Sequence, residues 1–189
     1  IAPSLVGSEM CIRDRDGLRE RLKEYYKLGA RFTKWRAVYS ISDSYPSKLS
    51  IYSNAHALAR YSALVQECGM VPIVEPEVLM DGNHSAQECF NKTSEVIKKC
   101  FDELNKHKVD PSGIILKPNM ILPGSGSKKE INTKTIAELT LKCLKMSVPS
   151  EVPGIAFLSG GQSEFDAAKN LNSINLINDT NFTMTYSYG

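Results

Sequence analysis

The chain has no CxxC pair, no GxGxxG fingerprint, no P-loop and no apolar run of membrane-spanning length. Each absence removes a class of protein. Five cysteines, Cys11, Cys68, Cys89, Cys100 and Cys143, are odd in number and widely spaced, which argues against a disulfide framework or zinc ribbon and for reduced, packed thiols. His56, His84 and His107 show no ligand spacing along the chain, so surface or packing roles are expected for them and no metal site is. An excess of one charge is also missing. Lys and Arg number 23 against 21 for Asp and Glu, a net +2, which implies neither a nucleic-acid nor a membrane partner. With 189 residues, 42% of them hydrophobic, the chain can bury its own core, and a soluble, cytoplasmic protein is the expectation.

What is present is an alternation of helical and extended patterns. Residues 17–29 read as a helix closed by Gly29, 30–41 as a strand, 47–69 as a helix closed by Gly69, and 70–79 as a strand. After a DGNH turn, 85–107 reads as a helix and 113–122 as a strand, followed by the loop PGSGSKKE and a helix over roughly 131–146. A strand and glycine turn at 154–163, a helix to 175 and a strand over 182–189 complete the pattern. Five alternations point to a parallel α/β fold with crossover helices.

Lys34, Glu75, Lys117 and Ser159 recur at intervals of 41, 42 and 42 residues, each late in a strand. One βα unit fills each interval. Polar residues at the ends of successive strands are what a (β/α)8 TIM barrel needs, because its chemistry sits on the C-terminal face. An open doubly wound sheet also gathers ligands there but more often carries a glycine fingerprint. Eight units take about 250 residues, and this chain supplies about the last five strands. The final one ends at Gly189 without a covering helix, so the chain reads as the later part of a larger domain.

Four constellations carry chemistry. In GIILKPNM, Lys117 is the one charge at the end of an apolar strand. There, desolvation and a nearby Lys34 disfavour its ammonium form and free an amine nucleophile. In KWR, Lys34 and Arg36 share one strand face, a geometry suited to phosphate. In EPE, Glu75 and Glu77 share a face while Pro76 restricts Glu75 to extended backbone, and one acid can shuttle protons. In LSGGQS, Ser159, Gly160 and Gly161 form a strand-to-helix turn whose N–H groups can cradle an anion. Gly189, after Tyr188, offers a similar N–H from the next strand.

Taken together, FTKWRAVYSI, NAHALARYSALVQECGMVPIVEPEVLMDGNH, GIILKPNM, GIAFLSGGQSEFDAAKNLNSIN and TYSYG resemble the later part of a class I fructose-bisphosphate aldolase, from Gly17 to Gly189. The resemblance implies a metal-free, cofactor-free lyase that cleaves fructose 1,6-bisphosphate reversibly. In that reading Lys117 forms the Schiff base, Lys34 tunes it and handles protons, Glu75 is the acid/base of imine formation, and Glu77 shapes the charge around the nitrogens. Arg36, Ser159, Gly160, Gly161 and Gly189 lie near substrate phosphates, and the parent is a homotetramer. The family's first three strands are missing, with an aspartate and a further lysine of the site, as are the arginine after SYG and the C-terminal tyrosine. An impaired fragment is therefore expected. SEMCIRDR at 8–15 resembles translated sequencing-adapter sequence, so residues 1–16 are expected to be foreign to the domain at 17–189. Another lysine-imine barrel enzyme, such as a transaldolase or deoxyribose-phosphate aldolase, and a non-catalytic interaction protein on the same scaffold remain alternatives.

Overall fold

The structure, a computed structural model, describes residues 16–129 and 131–188. The expected foreign segment falls almost wholly outside them. Helix α1 (Leu18–Lys27) precedes strand β1 (Phe32–Tyr39). Then come α2 (Lys48–Glu67), β2 (Val71–Val78), α3 (Ala86–Lys106) and β3 (Ile115–Leu116). Finally, α4 (Thr133–Ser147), β4 (Gly154–Phe157), α5 (Glu164–Leu176) and β5 (Thr183–Tyr186) follow.

The five strands form one sheet in the order β1-β2-β3-β4-β5, every pair parallel. A sequential parallel order with crossovers of one hand lays all the helices on the same face. That is an arc of a TIM barrel, and a doubly wound sheet would instead reverse its strand order. Each of the four helices that follow a strand begins on a short polar side chain. Ser47, Ser85, Asn132 and Ser163 accept the N–H of Ser50, Glu88, Thr135 and Asp166, and Ser85 and Glu88 complete a reciprocal capping box. At the other ends, Gly29 and Gly69 take φ of 101° and 73°, conformations that stop α1 and α2 and that a Cβ would disfavour.

Strand alternation sorts the side chains between two faces. Val74, Leu116, Ile155 and Phe157 are fully buried and meet Leu58, Ile97 and Ile174 from the helices. Each such side chain contributes about 1.5–3 kcal/mol on burial. A smaller cluster of Leu18, Leu22, Tyr61, Val65 and Met70 holds α1 in place. The opposite face of β1 carries Lys34, Arg36 and Val38, all exposed.

The strand expected over 113–122 is paired only at Ile115 and Leu116. Proline explains the difference. Lys117 N–H donates to Val74 O at 2.8 Å, and Val78 N–H points to the same side of β2. By the two-residue period, the nitrogen of Pro76 points there as well and has no hydrogen to offer. Side chains then replace the ladder: Asn119 Oδ1 accepts Val78 N–H at 3.0 Å, and Thr140 Oγ1 accepts Ile121 N–H at 2.9 Å.

Beyond the strand ends, the loop at 123–129 is fastened to the turn at 80–84. Gly124, Ser125 and Gly126 donate to His84 O, Met80 O and Gly82 O at 2.8, 2.7 and 2.9 Å. The approach requires glycine, since a Cβ on Gly124 would lie 2.3 Å from Gly82 O. Gly124→Ala is expected to cost about 1–3 kcal/mol and to expose 123–129 to proteolysis. A urea midpoint and a limited digest equal to those of the unmodified chain would contradict this.

Candidate active site

Lys34, Arg36, Glu75, Glu77 and Lys117 meet on the face of the sheet away from the helices. In register, Arg36 stands beside Glu75 and Val38 beside Glu77. The acids nevertheless reach diagonally, two residues back along β1. Glu75 Oε2 lies 3.1 Å from Lys34 Nζ, an ion pair by distance whose angles fall short of a hydrogen bond. Glu77 Oε2 accepts a hydrogen bond from Arg36 Nε, which pushes the guanidinium further above its ordinary value. On the β3 side, Glu75 Oε1 lies 3.1 Å from Lys117 Nζ.

Glu75 therefore bridges the two lysines, one oxygen to each. The Glu75 side chain is 4% exposed and that of Lys117 11%, whereas Lys34 and Arg36 are 46% and 48% exposed. The sequence reading sets Lys34 near Lys117, and the carboxylate is the group in contact with both. A buried anion of this kind is tolerable only when paired, because the desolvation of each ion costs several kcal/mol.

The glycine turn lies at the same end of the sheet. Leu158 N–H donates to Pro118 O at 3.2 Å, which ties the residue before Ser159 to the residue after Lys117. Gly160 and Gly161 take φ of 61° and 82°. A Cβ on them would meet Leu158 and Met80 at 3.2 and 3.3 Å. The start of α5 beside them is already engaged, with Ser163 capping Asp166 N–H and donating to its carboxylate. Gly189 lies outside the described residues.

Two features escaped the sequence pattern. Asn119 is 5% exposed. Besides accepting from Val78 N–H, it donates to Thr93 Oγ1 and Met120 O, both at 3.1 Å, and so locks the turn after Lys117 to β2 and α3. An amide is the one small side chain that both accepts and donates twice, and its place directly after Lys-Pro was the available signal. The histidines are the second. His84 is packed, 6% exposed, and burial pushes its imidazole down while Glu88 acts weakly the other way. His56 and His107, by contrast, are not scattered. Packing of α2 on α3 brings their rings to 4.9 Å, a proximity that chain spacing does not reveal.

Parallel βα units in sequential order, with a lysine–carboxylate cluster at the strand ends, define a partial (β/α)8-barrel protein. A family model described as "Glycolytic: Fructose-bisphosphate aldolase class-I" matches residues 4–189. The chain is 48% identical over 175 residues to "Fructose-bisphosphate aldolase 4, cytosolic" of Arabidopsis thaliana, covering 92% of this chain and 44% of that protein. It is 49% identical over 175 residues to "Fructose-bisphosphate aldolase, cytoplasmic isozyme" of Spinacia oleracea, covering 92% and 49%. A solved fructose-bisphosphate aldolase of Plasmodium falciparum superposes with a TM-score of 0.90 at 46% identity, covering 92% of this chain and 51% of that one. The chain belongs to the class I fructose-bisphosphate aldolase family. It spans about half the length of the curated relatives it matches.

Asn119→Ala is expected to cost about 2–3 kcal/mol, because Val78 N–H is left buried without an acceptor. Chemical denaturation measures it, and a loss below about 0.5 kcal/mol would mean that the amide does not hold this turn.

Proposed function

We propose that this chain forms the later part of an enzyme that cleaves fructose 1,6-bisphosphate reversibly to dihydroxyacetone phosphate and glyceraldehyde 3-phosphate through an imine on Lys117. The observation that carries the reading is the Glu75 carboxylate held 3.1 Å from both Lys117 Nζ and Lys34 Nζ. A proton passed from Lys117 to the carboxylate it touches leaves a free amine, whose lone pair attacks the C2 ketone. The carbinolamine then loses its hydroxyl as water, with Glu75 returning the proton, and the iminium forms.

The C3–C4 bond breaks as its electron pair moves into the iminium and the C4 hydroxyl gives up its proton to the Glu75 carboxylate, again free after the dehydration. Glyceraldehyde 3-phosphate departs. Protonation of the resulting enamine at C3 and hydrolysis of the imine release dihydroxyacetone phosphate and restore the amine. Lys34, on the second oxygen of Glu75, keeps that carboxylate in place and offers a proton relay. Glu77 holds Arg36, whose charge faces a substrate phosphate, and Ser159, Gly160 and Gly161 donate to one as well.

The half-exposed Lys34 and Arg36 leave water in the site, which weakens the charge stabilisation that the reaction needs. The chain itself is accordingly expected to turn over at least ~100-fold more slowly than a relative of full length. The names of the Arabidopsis and spinach relatives support a cytosolic location, and among the described residues no helix is long and apolar enough to cross a membrane. A homotetrameric parent belongs to the same reading.

Borohydride reduction in the presence of dihydroxyacetone phosphate, followed by peptide mass spectrometry, tests the chemistry. The expected adduct is on Lys117 and disappears in Lys117→Arg. An adduct on Lys34 instead, or none, would overturn the assignment.

A further inference from the structure

On the helical layer, across the sheet from Lys117, one ligand atom each from His56, Glu103 and His107 lies within 4.8 Å of the others. His56 comes from α2, and Glu103 and His107 from one turn at the end of α3. The pair His56 Nδ1 and Glu103 Oε2 is 3.4 Å apart. A tetrahedral ion with bonds of 2.0–2.1 Å has ligand–ligand edges of about 3.4 Å, so this edge is already the right length. His107 offers its ligand atom within 4.8 Å of both.

Three further details fit ligation. His107 Nδ1 lies 2.9 Å from Glu103 O, and a ring that donates to a backbone carbonyl presents its other nitrogen as a lone pair. Glu103 is 2% exposed, with Lys106 and Lys99 on Oε1 at 2.8 and 3.3 Å, while Oε2 is the oxygen turned to His56. The His56 side chain is 40% exposed, which leaves an entry path.

We propose that His56, Glu103 and His107 form a binding site for a borderline divalent transition metal of the zinc class, with two imidazole nitrogens, one carboxylate oxygen and a water as ligands. Such an ion clamps α2 to α3 and lies on the outer layer, apart from the lysine–carboxylate cluster. The site needs no part of the aldol reading. It departs from the expectation, drawn from histidine spacing, of surface or packing roles for His56 and His107. The neighbouring lysines oppose it by repulsion, and this separates it from a plain salt-bridge network, because removing one of them should strengthen metal binding while weakening the network.

Titration of the full chain with Co2+, followed by visible absorption, tests the site. One saturable equivalent with nitrogen–oxygen d–d bands and no thiolate charge-transfer band is expected. Affinity should fall about tenfold or more in His56→Gln and in His107→Gln and rise several-fold in Lys106→Gln, with circular dichroism unchanged in all three. Absence of saturable binding, a thiolate band, or affinity indifferent to both histidine changes would overturn the proposal.

Discussion

The Glu75 carboxylate, buried between two ammonium groups, is the constraint on which the inner face of this sheet depends. Glu75 alone would be a desolvated anion on a central strand. With Lys34 on one oxygen and Lys117 on the other, it couples three strands through one side chain. The coupling also specifies register. A slip of β2 by one residue would turn Glu75 and Glu77 into the apolar layer beneath the helices and bring Val74 and Val78 to the polar face. Glu77 repeats the device one step further along, with Arg36 as its cation.

Two prolines shape the site around this carboxylate. Pro76 denies β3 a donor where the ladder would continue past Lys117, and Pro118 turns the chain immediately afterwards. The cost of the interrupted ladder is offset by side chains, Asn119 for Val78 and Thr140 for Ile121. The result is a short strand that delivers a lysine at the rim and then releases the backbone into a loop fastened by Gly124 and Gly126. On the far side of the sheet, α2 and α3 pack closely enough to join His56, Glu103 and His107, so the two layers of one βα unit carry separate clusters of titratable groups.

Much of this architecture was legible in the sequence because its signals are local. Glycines closing the first two helices and the apolar runs of β2 and β4 place most elements within a few residues of where they fold. The roughly 42-residue recurrence of Lys34, Glu75, Lys117 and Ser159 points to one end of the sheet, where the structure brings the two lysines and the carboxylate together. Three features were not legible, and each depends on the third dimension. The brevity of β3 follows from a proline on the neighbouring strand. The simultaneous contact of Glu75 with both lysines follows from a diagonal reach that strand alternation alone does not specify. The meeting of His56 with His107 follows from helix packing between residues far apart in the chain.

The most direct measurement of the bridging role is the single-turnover rate of imine formation in Glu75→Gln, a change that keeps the shape and removes the acid. If Glu75 moves the protons of that step, the rate falls by about 10²–10⁴ while substrate still binds. An unchanged rate of imine formation would show that the carboxylate between the two lysines is structural only, and the account of the site would have to be rebuilt without it.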